Sequence, residues 1–568
     1  MSLIRPISRL TFAVVLLPAL LVAQSRPANL VVTNAIIYTA DAAQPRAEAL
    51  AVRDDRIVYI GSNAGAVAFT APATVRIDAG GRPLYPGFID AHAHLRNLSL
   101  ILATLDLRGV PSYDSLVTLV AARTRQVAPG TWIRGRGWDQ NLWGTDFPSN
   151  AALSRATPEN PVYLRRVDGH AALVNQSALR LAGITRNTPD PPGGRIVHDA
   201  SGEPTGVLID VAFQLVERVI PADGLETRRT TTLPAIAEAN RFGVTGIHDP
   251  GIEALDLQTY ESLAREGRFN LRSYLMILAE SDTGSFLAAQ LAQKPRLGLY
   301  NGHLWVRAVK IELDGALGSR GAALLEPYSD DPGNTGHYRI PPEEMAQVVL
   351  RALRAGYQMA IHAIGDRANR LVLDTYASAL TQVPTADYRL RVEHAQVLAP
   401  QDIPRFAQLG VIPSMQGSHQ TSDMSWVTTR IGPMRVQGAY AWRSLRNTGV
   451  IIPNGSDAPV ESINPLVSFH AFVTRQDADN QPAGGWFPAQ RLTREEALLG
   501  MTLWPAYASF MENEVGSLSV GKYADFVILD QDIMTVPAEG ILATNVVRTV
   551  LGGRTVYERR QLGTGNSE

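Results

Sequence analysis

The chain has 568 residues, of which 45% are hydrophobic and 19% are charged, a composition typical of a folded globular protein rather than a disordered or fibrous one. It contains no cysteine, which excludes disulfides, thiol nucleophiles and cysteine-ligated metal centres. Its 52 basic and 54 acidic residues give a formal net charge of −2, so charge gives no reason to expect nucleic acid or an anionic membrane as a partner.

The first 23 residues are predicted to be a secretory signal peptide. Arg5 and Arg9 precede an apolar run from Leu10 to Ala23, and Ala23 is a small residue at a plausible cleavage point. This run is shorter than the roughly 20 residues that a membrane-spanning helix needs. We therefore expect an exported protein, periplasmic or secreted, without a stable membrane span; an uncleaved membrane anchor is the alternative.

Both ends of the remaining chain have the pattern of short β-strands. Apolar segments separated by Asn, Asp and Gly fill residues 28–82, and similar segments recur near the C-terminus at 521–530 and 546–553. We expect residues 28–82 and 481–560 to form one small β-sandwich, with the last barrel helix also in the second range.

The middle region, residues 83–480, is predicted to be a (β/α)8 TIM barrel of the α/β class. Strands that alternate with helices indicate parallel βαβ units, and eight such strands indicate a closed barrel. The stretch of about 96–241 is too long for one crossover, so it is predicted to be an inserted subdomain over the barrel mouth. The eight candidate strands centre on Leu84–His92, Val244–His248, Leu271–Leu278, Leu304–Glu312, Gln358–His362, Arg389–His394, Val411–Met415 and Val450–Asn454.

A pair of histidines at the end of the first barrel strand is the main chemical signal. Residues two apart on a strand point the same way, so His92 and His94 can face the barrel axis together and bind a divalent metal ion. Asp90 could orient one of these imidazoles through its other ring nitrogen.

Three further candidates, His362, His394 and Asp457, each end a different predicted strand. Barrel enzymes collect their catalytic groups at this rim. A single buried histidine is usually a core residue, but four histidines and a carboxylate at one rim indicate a metal site.

Lys310 lies within an apolar strand in a chain that has only three lysines, the others being Lys294 and Lys522. Burial lowers the pKa of an amine, and a neutral amine can react with CO2 to give a carbamate, an anionic ligand that can bridge two metal ions. The alternative is a salt bridge to Glu312 or Asp314.

These segments resemble the amidohydrolase superfamily, in particular amidohydrolase family 3, the N-substituted formamide deformylase-like metal-dependent hydrolases. The resemblance extends over nearly the whole chain after the leader and includes the segments Trp138–Trp143, Asp168–Ala171, Asp314–Gly321 and Met415–Gln420. It implies a barrel with a composite β-sandwich.

The same resemblance implies a ligand set for two divalent ions. His92 and His94 bind one ion, His362 and His394 bind the other, and carboxylated Lys310 bridges them, while Asp457 binds the first ion and acts as the base. Zinc is the expected metal, although manganese, iron or cobalt could occupy such a site.

Other residues are weaker candidates for substrate contact. His170 could reach the substrate from the insert, and His419 and Asp423 follow the seventh strand. Trp138 is more often a packing residue, Arg320 could bind a carboxylate or form an internal salt bridge, and His248 is expected beside the metal ligands rather than among them.

We predict a metal-dependent hydrolase that cleaves a non-peptide C–N bond of an amide, N-formyl compound or cyclic amide or urea. Two ions about 3.5–4 Å apart would generate a bridging hydroxide, and Asp457 would pass its proton to the leaving nitrogen. The first alternative is a deaminase or D-aminoacylase-type hydrolase with one metal ion, and the second is a non-catalytic periplasmic binding protein. The expected partner is a small amide-type substrate, and a homodimer is possible.

Overall fold

The computed structural model describes residues 26–143, 147–166, 171–191, 194–221, 223–279, 285–318, 320–384 and 387–560. The predicted signal peptide, residues 1–23, lies outside these ranges, and so does His170. Within them, no helix has both the length and the apolar composition needed to cross a bilayer.

Eight parallel strands follow one another around a barrel in sequence order, which confirms the predicted fold class. Each strand pairs with its sequence neighbour, and the ring closes where the Ala91 N–H donates to the Asn454 carbonyl over 2.9 Å. The strands are β1 (Phe88–Asp90), β2 (Val244–Ile252), β3 (Arg272–Leu278), β4 (Leu304–Glu312), β5 (Gln358–Ala363), β6 (Arg391–His394), β7 (Ile412–Gln416) and β8 (Asn454–Gly455).

The first predicted strand, Leu84–His92, is divided between two sheets. Pro83–Pro86 pairs with Phe526–Leu529 outside the barrel, and only β1 joins β2. Gly87 separates the two parts; a Cβ atom there would lie 2.2 Å from Thr245 Oγ1, so only glycine fits this approach. The prediction of one continuous strand was wrong because an apolar run does not reveal which sheet it joins.

Helices cover the barrel, and several of them present an apolar face to it. Pro342–Ala355 is an example: it buries Met345, Val348, Val349, Ala352 and Leu353 at helical spacing, and Gly356, with φ 85°, ends it. Other helices of this region are Leu95–Ala103, Leu225–Arg241, Ala254–Arg265, Ser285–Leu291, Asp366–Gln382, Ile403–Leu409, Gly417–Asp423, Val427–Arg435, Trp442–Arg446, Pro465–Thr474, Arg494–Gly500 and Leu503–Ala508.

A six-stranded sheet lies between the helices Leu95–Ala103 and Leu225–Arg241, inside the stretch predicted as an insert. The two flanking helices pack on each other, so the chain leaves the barrel and returns at nearly the same place. In spatial order the strands are Gly194–His198, Pro204–Asp210, Ala171–Val174, Val162–Arg166, Ile133–Trp138 and Leu105–Asp106. Helices Tyr113–Thr124, Ala151–Ala156 and Gln176–Leu181 accompany this sheet.

Two more sheets combine both ends of the described chain. The first contains Arg56–Gly61, Ala49–Arg53, Leu30–Thr33 and Val75–Asp78, and the second contains Arg554–Glu558, Val546–Leu551, Phe526–Leu529, Pro83–Pro86, Ile36–Tyr38 and Arg46–Ala47. Val32 and Val52 of the first sheet share one buried cluster with Leu84 and Phe526 of the second. The early and late segments of the chain therefore depend on each other for burial of their apolar faces.

Candidate metal centre

The candidate residues meet at the rim where the barrel strands end. His92 and Asp457 each follow a strand by two residues, after β1 and β8, whereas His362 and His394 lie in the last two positions of β5 and β6. Parallel strands direct their carboxyl ends to one rim, which explains why residues far apart in sequence come together here.

His92, His94 and Asp457 form one compact group. His94 Nε2 lies 3.2 Å from Asp457 Oδ1, and His92 Nε2 lies 3.6 Å from the same oxygen. The backbone fixes this arrangement, since the Asp457 N–H donates to the His92 carbonyl over 2.6 Å and the His94 N–H donates to the Ala458 carbonyl over 2.8 Å. The potential ligand atoms of the three residues all lie within 4.8 Å of one another, which is the spacing of a metal site.

A buried carboxylate, Glu393, orients His92. Its Oε2 is 2.6 Å from His92 Nδ1 and accepts from Arg391 Nη2 over 3.1 Å, while its Oε1 accepts from Arg391 Nε over 2.7 Å. The prediction that Asp90 orients an imidazole was wrong: its carboxylate accepts from the backbone N–H groups of His92 and Ser456 and from the Ser456 hydroxyl. Asp90 therefore joins the loops after β1 and β8, while Glu393 directs the ring of His92.

A second group contains His394, His419 and Asp457. Gln416 Oε1 is 2.8 Å from His394 Nδ1, which leaves Nε2 of that ring facing the centre. The rings of His394 and His419 stack at 5.8 Å between centroids and 12°, and His419 Nε2 lies 3.6 Å from Asp457 Oδ2. His419, expected from sequence only as a substrate contact, therefore lies among the potential ligands.

Lys310 and His362 lie beside these groups rather than within them. The His362 ring is 4.5 Å from the His394 ring, and its Nε2 is 3.3 Å from Asp314 Oδ1. Lys310 is 1% exposed, and burial lowers the pKa of its amine. Among the described residues, no carboxylate oxygen approaches this amine to ion-pair distance, because Glu312 pairs with Arg339 and Asp314 accepts from the backbone N–H groups of residues 323, 364 and 365. The predicted alternative, a salt bridge to one of these carboxylates, is therefore absent here.

Burial sets the protonation of the centre. It lowers the pKa of His92 to about 4, with the charge of Lys310 adding to the effect, and it holds the pKa of His394 well below the usual range. Burial alone would raise the pKa of the Asp457 carboxyl, but the contact with His94 and the fields of His92 and His394 outweigh it and hold that pKa well below its usual range. Neutral imidazoles and an ionised carboxylate are the forms that bind a divalent cation.

Several buried polar atoms at the centre have no hydrogen-bond partner among the described residues. They are Nε2 of His92, His362 and His419, and Oδ1 of Asp457. Buried polar atoms are normally satisfied, so four unsatisfied donor or acceptor atoms at one rim mark it as a candidate ligand site. The donor set of imidazole and carboxylate fits zinc or a similar divalent ion.

Two of the weaker candidates have partners within the protein. Trp138 is fully buried and its Nε1 donates to the Leu164 carbonyl over 2.8 Å, so packing accounts for it and direct substrate contact does not. Arg320 forms the internal salt bridge to Asp330, with Nη2 3.0 Å from Oδ2. His170, the remaining insert candidate, lies outside the described residues.

Two other candidates, Asp423 and His248, contact residues next to the potential ligands rather than belonging to the ligand groups. Asp423 accepts from Gln396 Nε2 over 2.9 Å and from the Tyr440 hydroxyl, which makes it a fixed partner of the segment after His394. His248 joins neither ligand group, as expected, and its Nδ1 is 2.8 Å from Arg391 Nη1.

The sequence reasoning missed Arg391, Glu393 and Gln416. The signal was present in the strand itself: Arg391 and Glu393 are two residues apart in a strand whose four residues are all buried, so both side chains point to one side of the barrel wall. Charged residues on a buried strand need partners or a function.

Comparison with known proteins identifies the family and supports the fold. The model of the "Amidohydrolase family" matches residues 76–557. Protein LONG AFTER FAR-RED 3 of Arabidopsis thaliana is 36% identical over 540 residues, which cover 93% of this chain and 92% of that protein. N-substituted formamide deformylase of Arthrobacter pascens is 28% identical over 547 residues, which cover 94% and 98%.

Among solved structures, an uncharacterized metal-dependent hydrolase from Pyrococcus furiosus is similar with a TM-score of 0.74 at 28% identity, covering 89% of this chain and 100% of that chain. The similarity therefore extends over the barrel, the inserted sheet and the terminal sheets rather than over isolated motifs.

Proposed function

The chain belongs to the amidohydrolase family, and we propose that it hydrolyses a non-peptide C–N bond in an amide, an N-formyl compound or a cyclic amide or urea. The observation that carries this proposal is the set of buried, unpartnered imidazole and carboxylate atoms at the barrel rim. The relative named N-substituted formamide deformylase supports a C–N bond as the target.

The ligand set proposed for two divalent ions is the one that the sequence indicates. His92, His94 and Asp457 would hold one ion, His362 and His394 would hold the second, and carboxylated Lys310 would be shared by both, with His419 close enough to His394 and Asp457 to take part. When bound, zinc or a similar ion polarises a carbonyl and acidifies a water molecule.

The side chains themselves perform the positioning and the proton transfer. Glu393 accepts the Nδ1 proton of His92 and Gln416 accepts that of His394, so each ring keeps its Nε2 lone pair toward the centre. Asp457 is ionised and its Oδ1 is unpartnered, so it can take a proton from the attacking water and return it to the leaving nitrogen.

A single-ion hydrolase is the second candidate, and one observation favours it. Both compact groups of imidazole and carboxylate ligand atoms contain Asp457, whereas His362 lies outside them. One ion shared by His92, His94 and Asp457 would need no carbamate. Metal analysis separates the candidates: about two zinc ions per chain support the first, and about one with unmodified Lys310 supports the second.

The test of the activity uses Asp457→Asn, with Asp78→Asn as the matched control on an exposed strand of the terminal sheets. We expect Asp457→Asn to lower kcat on N-formyl and amide substrates at least about 10³-fold while the chain still binds zinc. The control should keep the wild-type rate. A near-native rate in Asp457→Asn would overturn the assigned role, and failure of the zinc-loaded wild type on a broad panel of amides would overturn the activity.

A further inference from the structure

A cavity of about 520 Å³ lies between the barrel rim and the inserted sheet. Its barrel side is formed by Leu100 and Ile101 of the helix Leu95–Ala103 and by Pro459, and its other side is formed by the strands Leu105–Asp106 and Ile133–Trp138. It is not used by the chemistry described above, because its lining does not include the candidate metal ligands.

The cavity nevertheless borders the metal centre at two points. The helix that lines it begins directly after His94, and at 1.5 Å per residue Ile101 lies about 10 Å along the axis from that histidine. Pro459 is two residues after Asp457, so the two Cα atoms are at most about 7.6 Å apart. A small molecule of extended shape is long enough to reach across these distances.

Two arginines point into the cavity without a partner of their own. Arg134 and Arg136 alternate along one strand and are both exposed, whereas Gly135 between them faces the core, where a Cβ atom would lie 2.8 Å from Leu164. Within the described part of the chain, neither guanidinium makes an ion pair or a side-chain hydrogen bond.

The remaining charges of the lining are already paired. Arg108 pairs with Asp106 at 2.6 Å and Arg165 pairs with Glu217 at 3.0 Å. The lining contains four arginines and two carboxylates, so its net charge is +2, and Arg134 and Arg136 carry this excess. The net charge of the whole chain is −2. Leu100, Leu105 and Ile101, which is 51% exposed, supply apolar surface beside these charges.

We infer that this cavity binds a carboxylate carried on an apolar spacer, and hence that the substrate is an acidic amide whose carboxylate lies several bonds from the scissile C–N bond. Guanidinium groups match carboxylates in geometry and charge, and the apolar wall matches the spacer. The position of the scissile bond in this inference rests on the proposed hydrolase function. The binding of the carboxylate in the cavity does not.

Binding is tested first on the zinc-loaded full chain, with octanoate and the uncharged octanamide as probes in calorimetric titrations. Arg134→Gln/Arg136→Gln removes the two unpaired charges, and Arg155→Gln/Arg180→Gln removes two exposed arginines from helices of the same insert as a matched control. We expect the double cavity variant to raise the Kd of octanoate at least about tenfold and to leave the Kd of octanamide unchanged, while the control variant changes neither.

Two results of this titration would overturn the inference. Octanoate binding that survives in Arg134→Gln/Arg136→Gln would place the carboxylate elsewhere, for example at the zinc ions. Equal binding of octanoate and octanamide to the wild type, or no binding of octanoate, would show that the cavity does not select an acid.

Turnover provides the second test, with N-formyl-6-aminohexanoate and its methylamide as a charged and an uncharged substrate. The wild type should prefer the acid at least about tenfold in kcat/KM, and the cavity variant should lose this preference through KM while its rate on the methylamide is unchanged. Turnover without a charge preference would overturn the inference alone. Octanoate binding that depends on the two arginines, without turnover of these substrates or of any amide in the broad panel, would overturn the proposed hydrolase function alone.

Discussion

Substitution of Glu393 by Gln is the sharpest test of how the centre is held. The fully buried Glu393 carboxylate contacts His92 Nδ1 at 2.6 Å and Arg391 Nε at 2.7 Å. Gln has nearly the same shape as Glu but no charge, and its Nε2 amide group is a hydrogen-bond donor. In either orientation of the amide, this donor faces a donor N–H group of Arg391. The substitution therefore perturbs both the imidazole and the guanidinium while adding almost no cavity.

The expected loss of stability follows from what remains around Arg391. Removing one partner of a buried ion pair costs about 3–5 kcal/mol. Arg391 keeps the Ala91 carbonyl at 2.8 Å, the Ser414 hydroxyl at 2.9 Å and His248 Nδ1 at 2.8 Å. Because these three contacts persist, we expect a loss at the lower end of this range, so Glu393→Gln should lower the free energy of unfolding measured with urea by about 3 kcal/mol.

The same substitution should weaken zinc binding about 10- to 100-fold, since His92 loses the carboxylate that fixes its tautomer. Competition with a chelator measures this without an activity assay. Asp525→Asn is the matched control: the Arg272–Asp525 pair is also buried, with Nε to Oδ2 at 2.5 Å, but Arg272 begins β3 at the opposite rim. It should lose comparable stability and keep its zinc affinity.

A double variant separates the two roles of Glu393. Replacing both Arg391 with Met and Glu393 with Leu removes the buried pair without leaving a lone charge, which is often neutral for stability. We therefore expect stability to return toward the wild type while zinc binding stays weak. If Glu393→Gln bound zinc as tightly as the wild type, the proposed orientation of His92 by this carboxylate would be refuted.

Three further substitutions test other parts of the structure. Lys310→Gln should lose about one zinc ion per chain together with the carbamate resonance seen by 13C NMR after labelling with 13C-bicarbonate, whereas Lys294→Gln, an exposed lysine, should keep both. His419→Gln should weaken the binding of one zinc ion at least about tenfold, because His419 Nε2 lies 3.6 Å from Asp457 Oδ2. A change in KM at unchanged zinc affinity would instead make His419 a substrate contact. Burial raises the pKa of Asp249 to about 7, so between pH 6.5 and pH 5.5 the native carboxyl takes up a proton that the unfolded chain does not, which stabilises the wild type as the pH falls. Asp249→Asn removes this contribution, so its free energy of unfolding in urea titrations should fall by about 1 kcal/mol more than that of the wild type over the same pH range. An unchanged pH slope would contradict this.

The barrel could be predicted from the sequence because its signals are local. Each strand is a short apolar run followed by a helical pattern, and the ligand candidates stand at the ends of these runs, where a parallel barrel collects functional groups. The predicted fold class and family were confirmed. Gly87 shows the limit of such local reasoning, since the division of the run Leu84–His92 between two sheets depends on Thr245, which is distant in sequence.

The support of the centre could not be predicted because it depends on contacts across the barrel. Asp90 was the natural partner for a nearby imidazole, yet the ring of His92 is held by Glu393, 301 residues away. Similarly, the sequence left Trp138 as a weak candidate for substrate contact beside its expected packing role, and its hydrogen bond to the Leu164 carbonyl shows that it faces the core of the insert. Spacing along a chain indicates which way a side chain points but not what it meets.

If Lys310 is carboxylated as proposed, the charge balance of the buried centre links this modification to the number of metal ions. Glu393 and Asp457 contribute −2, and Arg391 and a protonated Lys310 would contribute +2, so these four side chains would sum to zero before any cation enters. One divalent ion would bring the sum to +2, and two would bring it to +4, a charge that a buried site cannot hold without compensation. Carboxylation changes Lys310 from +1 to −1 and restores +2 with both ions present. The second ion and the carbamate should therefore be gained and lost together, so removal of bicarbonate alone should lower the zinc content from about two ions to about one.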